Sequence, residues 1–420
     1  MFDTKKKSIK KRTRCRACGG ASLSKFLDLG NSPLANSFLS SESEFANEAF
    51  FPLAVYFCNE CSLVQLTDVV DPDVLFSNYL YVTGTSDTIL SHNREYADAV
   101  IDLMKLGSRD LVLEVASNNG NLLSCFKEKG IRTLGVEPAK NIAEIANRAG
   151  IETIVAFFNS TTASQISDIH GKAQAIVANN VLAHVDDPMD FLSGCKSLID
   201  DEGLVVIEVP YLEEFVEFIE FDTVYHEHLC YFSITSLMRL FESVGLSIVR
   251  VDRVAVHGGS IRVYAGKIDK YPDHSLDAVA FFRREQELGL KSPETFVSFA
   301  NKVGVLRERL RALLISLKDQ GKTIAGYGAP AKGNTLLNYC SIGSEILDFV
   351  VDKNPLKVGL YTPGTHLHVK PVSAVFESQP DYLLILAWNF ADEIMEQLVE
   401  YRSIGGRFII PVPEPRIIEV

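Results

Sequence analysis

The stretch Leu111-Val-Leu-Glu-Val-Ala-Ser-Asn-Asn-Gly120 decides the fold of this chain. Its first five residues are mostly apolar and predict a buried strand. The polar, glycine-containing turn after them leads into a predicted helix over residues 121–129. A strand, a turn and a helix in this order are typical of a doubly wound α/β sheet, which binds ligands at the carboxyl ends of its strands. We therefore expect a ligand site at this turn.

The turn favours a ligand without phosphate. Ala116 stands where the G-x-G-x-x-G pattern has its first glycine, and Glu114 would repel a pyrophosphate. S-adenosylmethionine (SAM) suits the turn better, because it carries a sulfonium cation and an amino-acid group. Glu137 ends the next strand, about 20 residues later, where a carboxylate can bind ribose hydroxyls. The candidate SAM ligands are Glu114, Ala116, Ser117, Asn118, Gly120, Glu137, Pro138, Phe157, Phe158, Asn179 and Asn180.

Some of these candidates have a simpler alternative. Phe157 and Phe158 can flank an adenine, but they can equally be ordinary core aromatics. His184 follows the fourth predicted strand and is expected to face the same crevice, although a lone histidine in an apolar stretch is often a satisfied core residue.

Two Cys-x-x-Cys pairs precede the sheet. Cys15 and Cys18 form the first pair, and Cys58 and Cys61 the second. Two turns that each present two thiolates can close a tetrahedral site around Zn²⁺. With all four ligands supplied by protein the metal has no open position, so we expect structural zinc and no catalytic role for it.

Alternating strands and helices continue to the carboxyl end of the chain, with a second α/β series from Thr323. The predicted fold class is therefore α/β. We expect a basic tail over residues 1–14, a small zinc-binding module over 15–70, a Rossmann-like SAM domain over 71–245 and a C-terminal Rossmann-like α/β domain over 246–420. The tail is expected to be frayed and solvated.

Composition excludes several classes of partner. The formal net charge of −13 argues against nucleic acid as the main partner. No apolar run is long enough to cross a bilayer, and no signal peptide is recognisable. We expect a cytoplasmic protein without a membrane partner; its oligomeric state is left open, a monomer included.

The densest group of acid/base residues is Tyr225-His-Glu-His228. Histidine is the side chain that exchanges a proton most readily near pH 7, and an adjacent carboxylate can orient it. The His-x-His spacing also allows a metal site, although no further cysteine or aspartate cluster lies nearby in the sequence.

The second α/β series contains a turn, Gly326-Tyr-Gly-Ala-Pro-Ala-Lys-Gly-Asn334, between a strand and a helix. Its helix start and Lys332 suit a phosphate group. Taken alone, this turn and Asp352 at the end of the next strand suggest an NAD-binding domain, but the glycine spacing departs from the expected pattern. Arg262 suits a diphosphate or a keto oxygen, or else a surface ion pair.

These motifs together resemble the SAM-dependent sugar C-methyltransferases, which act on nucleotide-linked 4-keto deoxysugars. The resemblance covers almost the whole chain, and Ala116 stands where that family usually has glycine. It implies an N-terminal zinc-binding module, a middle SAM methyltransferase domain and a C-terminal domain that helps to hold the nucleotide sugar. The implied active-site residues are Tyr79, His184, Tyr225, Glu227 and His228. The candidate substrate ligands are His226, His257, Gly259, Ser260, Arg262, Lys332, Asn334, Trp388 and Asn389.

The resemblance implies methyl transfer from SAM to carbon 3 of a nucleotide-linked keto sugar after base-assisted enolate formation. We expect His228 to be the base, oriented by Glu227, and His184 or Tyr225 to stabilise the enolate. Two alternatives stay open: an NAD-dependent nucleotide-sugar oxidoreductase or epimerase that uses the C-terminal unit, and a non-catalytic zinc-containing binding protein.

Overall fold

The computed structural model describes residues 9–76, 87–255 and 258–418. The strands, in chain order, are β1 Ile9–Lys11, β2 Leu23–Pro33, β3 Phe50–Cys58, β4 Val64–Leu66, β5 Asp68–Val70, β6 Leu111–Val115, β7 Arg132–Val136, β8 Thr153–Ile154, β9 Ala173–Asn179, β10 Ile199–Pro210, β11 Cys230–Tyr231, β12 Leu246–Val254, β13 Ser260–Lys267, β14 Ile324–Tyr327, β15 Val350–Val351, β16 Val369–Lys370, β17 Tyr382–Ile385, β18 Arg407–Ile410 and β19 Arg416–Ile418. The α-helices are α1 Pro72–Phe76, α2 Asp87–Met104, α3 Asn121–Glu128, α4 Lys140–Arg148, α5 Ser160–His170, α6 Pro188–Leu198, α7 Leu212–Glu217, α8 Ile234–Ser243, α9 Leu276–Glu287, α10 Pro293–Asp319, α11 Ala331–Cys340, α12 Ala374–Ser378, α13 Ala391–Gln397 and α14 Val399–Ser403.

The chain divides into two compact units, which are described separately. The first unit consists of Met1–Ser24, Phe57–Glu213 and Leu229–Ser292, and the second of Lys25–Tyr56, Glu214–His228 and Pro293–Val420. These units differ from the boundaries expected from the sequence. The middle of the expected zinc module and the acid/base stretch up to His228 both belong to the second unit.

A seven-stranded sheet forms the centre of the first unit. Its order is β12-β13-β10-β9-β6-β7-β8. The five strands from β10 to β8 are parallel, and β13 runs antiparallel to both of its neighbours. All five residues of β6 are buried, as expected for a central strand that is covered on both faces.

Helices cover this sheet with their apolar sides. Tyr96 and Val100 of α2 pack with Leu123 and Phe126 of α3 in the core. Local signals set the helix starts: Gly120 precedes α3 with a φ of 78°, and the Asp187 side chain accepts a hydrogen bond from the Asp190 backbone N–H at the start of α6.

Strands β12 and β13 correct the expected end of the SAM domain at residue 245. β13 pairs with β10 from Val205↔Ala265 to Pro210↔Ser260, and β12 pairs with β13. The Rossmann-like sheet therefore extends to residue 267. The sequence alone does not indicate the sheet to which these two strands belong.

The N-terminal segment is more ordered than expected for a frayed tail. β1 pairs antiparallel with β5, with Ile9 opposite Val70. The backbone N–H of Arg12 donates to the Thr67 carbonyl at 2.8 Å. From residue 9 onward the basic stretch is thus a strand with partners. Further along, β4 pairs with β11, which places Cys230 opposite Gln65.

The second unit contains a six-stranded sheet of order β16-β15-β14-β17-β18-β19. Its first five strands are parallel, and β19 is antiparallel. Tyr327, Val351, Leu383 and Phe408 contribute to its core. This is the predicted C-terminal Rossmann-like domain. Phe26 of β2 packs against Phe296 of α10, with ring centroids 5.0 Å apart.

In the parts of the chain that the structure describes, no helix is both long and apolar enough to cross a membrane.

Candidate active site

The four predicted metal ligands come together. The Sγ atoms of Cys15 and Cys61 lie 3.5 Å apart, those of Cys18 and Cys58 lie 3.6 Å apart, and all four fall within 4.8 Å of one another. These spacings fit a tetrahedral Zn²⁺ site, in which Zn–S bonds of about 2.3 Å give sulfur–sulfur distances just under 4 Å. Gln65 Nε2 donates to Cys15 Sγ at 3.1 Å, a contact that suits a thiolate.

The turn after β6 has an unusual backbone. Ala116, Asn118 and Gly120 have φ values of 56°, 49° and 78°. An alanine in this left-handed conformation costs about 1–2 kcal/mol, and such strain is concentrated at functional sites. Gly135 on β7 lets the turn approach closely, because a Cβ there would lie 2.4 Å from Ser117 Oγ. The alanine at the family's glycine position is therefore compatible with the turn.

Glu137 connects the turn to the second strand. Its Oε2 accepts from the Asn118 N–H at 3.0 Å and its Oε1 from the Ala139 N–H at 2.8 Å. Pro138, between them, has no N–H to compete for these oxygens. Burial raises the pKa of Glu137, and the two backbone hydrogen bonds oppose the rise. The carboxylate stands at the end of β7, where a ribose-binding acid is expected.

Three buried polar atoms at this edge of the sheet fit a bound ligand. Glu114 Oε2, Ser117 Oγ and Asn179 Oδ1 have no hydrogen-bond partner within the described residues. Burial, followed by the charge of Glu137, raises the pKa of Glu114 well above its usual range. A cationic ligand would favour its ionised form. The residues on β6, its turn and the adjacent β9 therefore fit the sulfonium and amino-acid groups of SAM.

The remaining SAM candidates have different surroundings in the structure. Asn180 has a φ of 54°, and its N–H donates to the Glu208 carbonyl at 2.7 Å, so it shapes the end of β9. Phe158 packs edge-on against Phe191 of α6, with centroids 5.4 Å apart, which favours the core alternative for this residue. Phe157 is 43% exposed.

His184 ends the short 3-10 helix Leu182–His184. Burial lowers its pKa to about 4. The imidazole is therefore neutral near pH 7 and can donate a hydrogen bond without a full positive charge. That property suits the stabilisation of a developing enolate oxygen.

In the second unit, Tyr225 and His228 form a hydrogen-bonded pair. The Tyr225 hydroxyl lies 2.7 Å from His228 Nε2, and the Thr223 carbonyl oxygen lies 2.9 Å from His228 Nδ1. A carbonyl can only accept, so Nδ1 carries the proton and Nε2 accepts from the phenol. This arrangement fixes one tautomer of the imidazole and leaves the pair able to take up a proton.

The orientation of His228 differs from the sequence prediction. Both ring nitrogens have partners other than Glu227, whose Oε1 accepts from Asn36 Nδ2 at 2.7 Å. The backbone carbonyl of Thr223 replaces the predicted carboxylate because the chain turns back on itself at the 3-10 helix Phe221–Thr223. Asn36 was missed by the sequence analysis, since nothing within its own segment connects it to residue 227.

His226 and Asn334 are buried among other parts of the second unit. His226 Nε2 lies 3.2 Å from the Pro52 carbonyl, and its ring packs edge-on against Phe51. Asn334 Nδ2 donates to the Ala35 carbonyl at 2.7 Å. These contacts show structural roles, and the predicted contact of both residues with substrate stays a prediction.

Lys332 lies among acidic and aromatic side chains. Its Nζ is 3.8 Å from Glu220 Oε2 and 5.0 Å from the centre of the Trp388 ring. Trp388 Nε1 donates to Asp222 Oδ2 at 2.6 Å. Burial raises the pKa of Glu220 to about 7, the nearby Asp222 adds to the rise, and Lys332 opposes it. Glu220 and Asp222 were not predicted as site residues. Asn389 follows Trp388 in the 3-10 helix Trp388–Phe390.

Arg262 forms an ion pair, as the alternative expects, but the pair is buried and not at the surface. It lies on β13, and its Nε and Nη2 contact Glu208 Oε2 at 3.0 and 2.9 Å. His92 Nε2 contacts the other oxygen of Glu208 at 2.7 Å. Arg262 is thus part of a buried ion pair within the first unit, where strand pairing places it opposite Glu208.

Ser260 is the first residue of the same strand, and Gly259 precedes it. Ser260 is buried opposite Pro210, and the Gly259 carbonyl accepts from the Tyr211 N–H at 3.1 Å. The predicted active-site residue Tyr79 and the predicted substrate ligand His257 lie outside the described residues.

The chain was also compared with known proteins. Three family models match successive parts of the chain: a zinc binding domain over residues 15–76, a methyltransferase domain over 90–251 and a C-methyltransferase C-terminal domain over 255–413. The C-methyltransferase NovU of Streptomyces niveus is 40% identical over 406 residues, which cover 96% of each chain.

Solved structures were also compared. Magnesium protoporphyrin IX methyltransferase (ChlM) from Synechocystis with bound SAM is 14% identical; the match covers 43% of this chain and 82% of that one, at a TM-score of 0.33. An S-adenosylmethionine-dependent methyltransferase from Clostridium acetobutylicum is 11% identical, with coverage of 43% and 93% and a TM-score of 0.34.

The matched domains, the Rossmann-like sheet and the four-cysteine cluster define a SAM-dependent methyltransferase with a structural zinc site. The chain belongs to the family of SAM-dependent C-methyltransferases that carry an N-terminal zinc-binding domain.

Proposed function

We propose that this methyltransferase methylates carbon 3 of a nucleotide-linked 4-keto deoxysugar. The observation that carries the proposal is the Tyr225–His228 pair, whose phenol, imidazole and Thr223 carbonyl form one chain of hydrogen bonds. Methylation at carbon requires removal of a carbon-bound proton, and a ketone next to that carbon makes the proton acidic. The similarity of the chain to sugar C-methyltransferases supports the choice of substrate class.

The pair takes up the carbon-3 proton as one unit. As the proton arrives, the imidazole becomes a cation, and the Thr223 carbonyl stabilises it at Nδ1. When bound, SAM would supply an electrophilic methyl group: carbon 3 of the enolate would form the new carbon–carbon bond as the sulfur–methyl bond breaks, with S-adenosylhomocysteine as the leaving group. A correctly placed acid/base group contributes about 10²–10⁴-fold to the rate of such a step.

His184 and Glu227 complete the proposed set. His184, neutral because burial lowers its pKa to about 4, donates a hydrogen bond to the enolate oxygen. Glu227, which precedes His228 in the chain, is held by Asn36, and its proposed role is to stabilise the imidazolium by its negative charge. Tyr79 stays a candidate from sequence resemblance, and Lys332 with Trp388 stays a candidate for the nucleotide part of the substrate.

The matches to methyltransferase domains favour methyl transfer over the NAD-dependent alternative, although the acid of the second unit has the same kind of contacts as Glu137. Asp352, the acid at the ribose position, accepts from the N–H groups of Ala329 and Asn354, both at 2.7 Å. The buried ammonium of Lys357 donates to the Ala329 carbonyl at 2.8 Å.

Deuterium exchange tests the proposal without relying on turnover. Nucleotide-linked 4-keto deoxysugars with thymine, uracil or guanine as the base are incubated with the protein in D₂O. Deuterium is expected at carbon 3, and with SAM the product is expected to carry a methyl group at that carbon, as seen by NMR. His228→Asn is expected to lose both.

The control is Glu217→Gln, an exposed change that should affect neither result. Methylation at an oxygen or at another carbon would contradict the proposal. So would SAM binding without exchange or methylation of any of the keto sugars.

A further inference from the structure

Asp186, two residues after His184, binds several cations of the N-terminal segment. Its Oδ1 lies 2.7 Å from Arg12 Nη1 and 3.3 Å from Arg16 Nε, and its Oδ2 lies 3.7 Å from Lys10 Nζ. Arg12 Nη1 also donates to the Asp186 backbone carbonyl at 2.7 Å. The basic stretch therefore holds the backbone as well as the side chain of the residue that follows the His184 turn.

Arg16 is the buried member of this group. Its side chain is fully covered, whereas the Asp186 side chain keeps 24% of its surface exposed. Its Nη1 donates to the carbonyl of Leu66 and lies 3.3 Å from Gln65 Oε1, and its backbone N–H donates to the same oxygen at 3.1 Å. A guanidinium with this many fixed partners has little freedom, so it holds Asp186 in one place.

Gln65 connects Arg16 to the metal site. While its Oε1 accepts from Arg16, its Nε2 donates to Cys15 Sγ at 3.1 Å. Gln65 itself is completely buried on β4. An unbroken series of contacts therefore runs from a zinc ligand, Cys15, through Gln65 and Arg16 to Asp186.

The other side of the His184 turn is also held. The Ala183 carbonyl accepts from the Leu229 N–H at 2.7 Å, and the Leu229 carbonyl accepts from the Leu66 N–H at 3.0 Å. His184 is therefore placed between two anchored neighbours, Ala183 and Asp186. Both neighbours are held through contacts with β4, the strand that follows the second cysteine pair.

We propose that Arg16, Gln65 and Asp186 are positioning residues that couple the zinc site to the placement of His184. The catalytic consequence rests on the role proposed for His184 above; the coupling of positions does not. With zinc in place, Cys15 is held as a thiolate and is a good acceptor for the Gln65 amide. The zinc site thus has a second task besides folding, and the basic N-terminal segment is part of the catalytic architecture.

The first experiment follows the His184 ring directly. The chain has nine histidines, so selective ¹⁵N-histidine labelling gives a tractable NMR spectrum, and a His184→Gln variant identifies the signals of His184. Zinc-loaded Gln65→Leu and Asp186→Asn are compared with the unaltered protein. We expect both changes to shift the His184 ring signals while zinc content stays at one ion per chain.

A matched control removes a different aspartate of the same unit. Asp201 is 93% exposed and contacts Lys267 Nζ at 2.8 Å. Asp201→Asn therefore loses an ion pair of the same chemical type without touching the series, and it should leave the His184 signals unchanged. Arg16→Lys serves as a milder variant should Asp186→Asn fold poorly, because it keeps the charge but loses the planar set of donors.

The second experiment separates positioning from binding. A displacement of about 1 Å at a reacting group can reduce turnover by about 10²-fold. We expect Asp186→Asn and Gln65→Leu to lower kcat by about tenfold to a hundredfold, with the Kd for SAM, measured by calorimetry, within about twofold of the original value. A change of KM alone would contradict the proposal.

The two experiments fail in different ways. Unchanged His184 signals in Asp186→Asn, Gln65→Leu and Arg16→Lys would overturn the coupling, whatever the substrate proves to be. If the His184 signals shift but the protein methylates no 4-keto sugar, the coupling is supported and the proposed function is rejected.

Discussion

The hydroxyl of Tyr225 lies 2.7 Å from Nε2 of His228, and the two rings are 4.0 Å apart between their centroids. Two residues, His226 and Glu227, separate them in the chain, and the intervening turn brings the rings together at an interplanar angle of 34°. Because the Thr223 carbonyl holds the proton on Nδ1, the phenol must donate to Nε2. This hydrogen-bonded phenol and imidazole together are the base that we propose for the reaction.

Removing either member of this pair should reduce turnover more than binding. We expect His228→Asn to lower kcat by about 10²–10⁴-fold and Tyr225→Phe by about 10–10²-fold, because each change breaks the route of the proton. The Kd for SAM should stay within about twofold. Steady-state kinetics and calorimetry check both values. Tyr56→Phe is the matched control, and near-normal turnover in His228→Asn would show that the base lies elsewhere.

Removing one zinc ligand should reduce stability. Cys61→Ser leaves three thiolates, so we expect zinc content to fall well below one ion per chain and the thermal midpoint to drop. Metal analysis and calorimetric unfolding measure the two effects. Cys125→Ser changes a half-buried cysteine outside the cluster and should keep its zinc. Full zinc content in Cys61→Ser would contradict the four-thiolate site.

The left-handed alanine of the SAM turn predicts a stabilising substitution. Ala116→Gly removes a Cβ at a φ of 56°, so the relief of strain should exceed the entropy that glycine adds to the unfolded chain. We expect the free energy of unfolding to rise by about 0.5–1 kcal/mol. Urea unfolding of the zinc-loaded protein measures it. Ala143→Gly, within α4, should do the opposite, and a loss of stability in Ala116→Gly would argue against the strain.

Burial of Glu220 predicts a pH dependence of stability. Its folded pKa of about 7 lies above the usual 4.5, so the folded protein binds this proton more tightly than the unfolded chain does. The stabilisation is fully present below pH 4.5 and is lost as the pH rises through 7, by at most about 3 kcal/mol. We expect Glu220→Gln to flatten this part of the stability curve, measured by urea unfolding from pH 4.5 to 8. An unchanged slope, matching that of Glu217→Gln, would refute the assignment.

Glu137 and Asp352 follow corresponding strands of the two Rossmann-like units, but we expect only Glu137 to bind SAM. Glu137 and Asp352 each accept one N–H from the turn of the preceding strand and one from two residues further on. We expect Glu137→Gln to weaken SAM binding by about 10–100-fold, since a charged hydrogen bond to ribose is lost. Asp352→Asn should leave SAM binding unchanged. Titrations with SAM and with NAD test this, and NAD binding by the unaltered protein would revive the oxidoreductase alternative.

Local sequence predicted the elements around the SAM turn well. β6 was predicted with the bounds that the structure has, and α3 ends one residue before the predicted end at residue 129. These elements have clear apolar patterns and end at polar or glycine-containing turns. Residues that are close together in the sequence are therefore sufficient to predict them. The two Cys-x-x-Cys pairs likewise define their own metal site, because each turn presents both of its thiolates.

Other features depended on partners far away in the chain. The pairing of β12 and β13 with the seven-stranded sheet, the Asp186 contacts of Arg12 and Arg16, and the Asn36–Glu227 hydrogen bond join residues separated by long stretches. No local pattern encodes such contacts, since the apolar face of a strand or a charged side chain can be satisfied by many partners.

The sequence by itself determined the zinc ligands, the two Rossmann-like patterns, the SAM turn and the acid/base residues, because each depends on residue types at short, regular spacing. Only the tertiary structure decided how those residues act. It showed that a backbone carbonyl and not Glu227 orients His228, that Arg262 is committed to Glu208, and that the basic segment binds the turn of His184. The physical reason is that hydrogen-bond partners and burial, which set tautomer, charge and orientation, are chosen by the packing of distant segments.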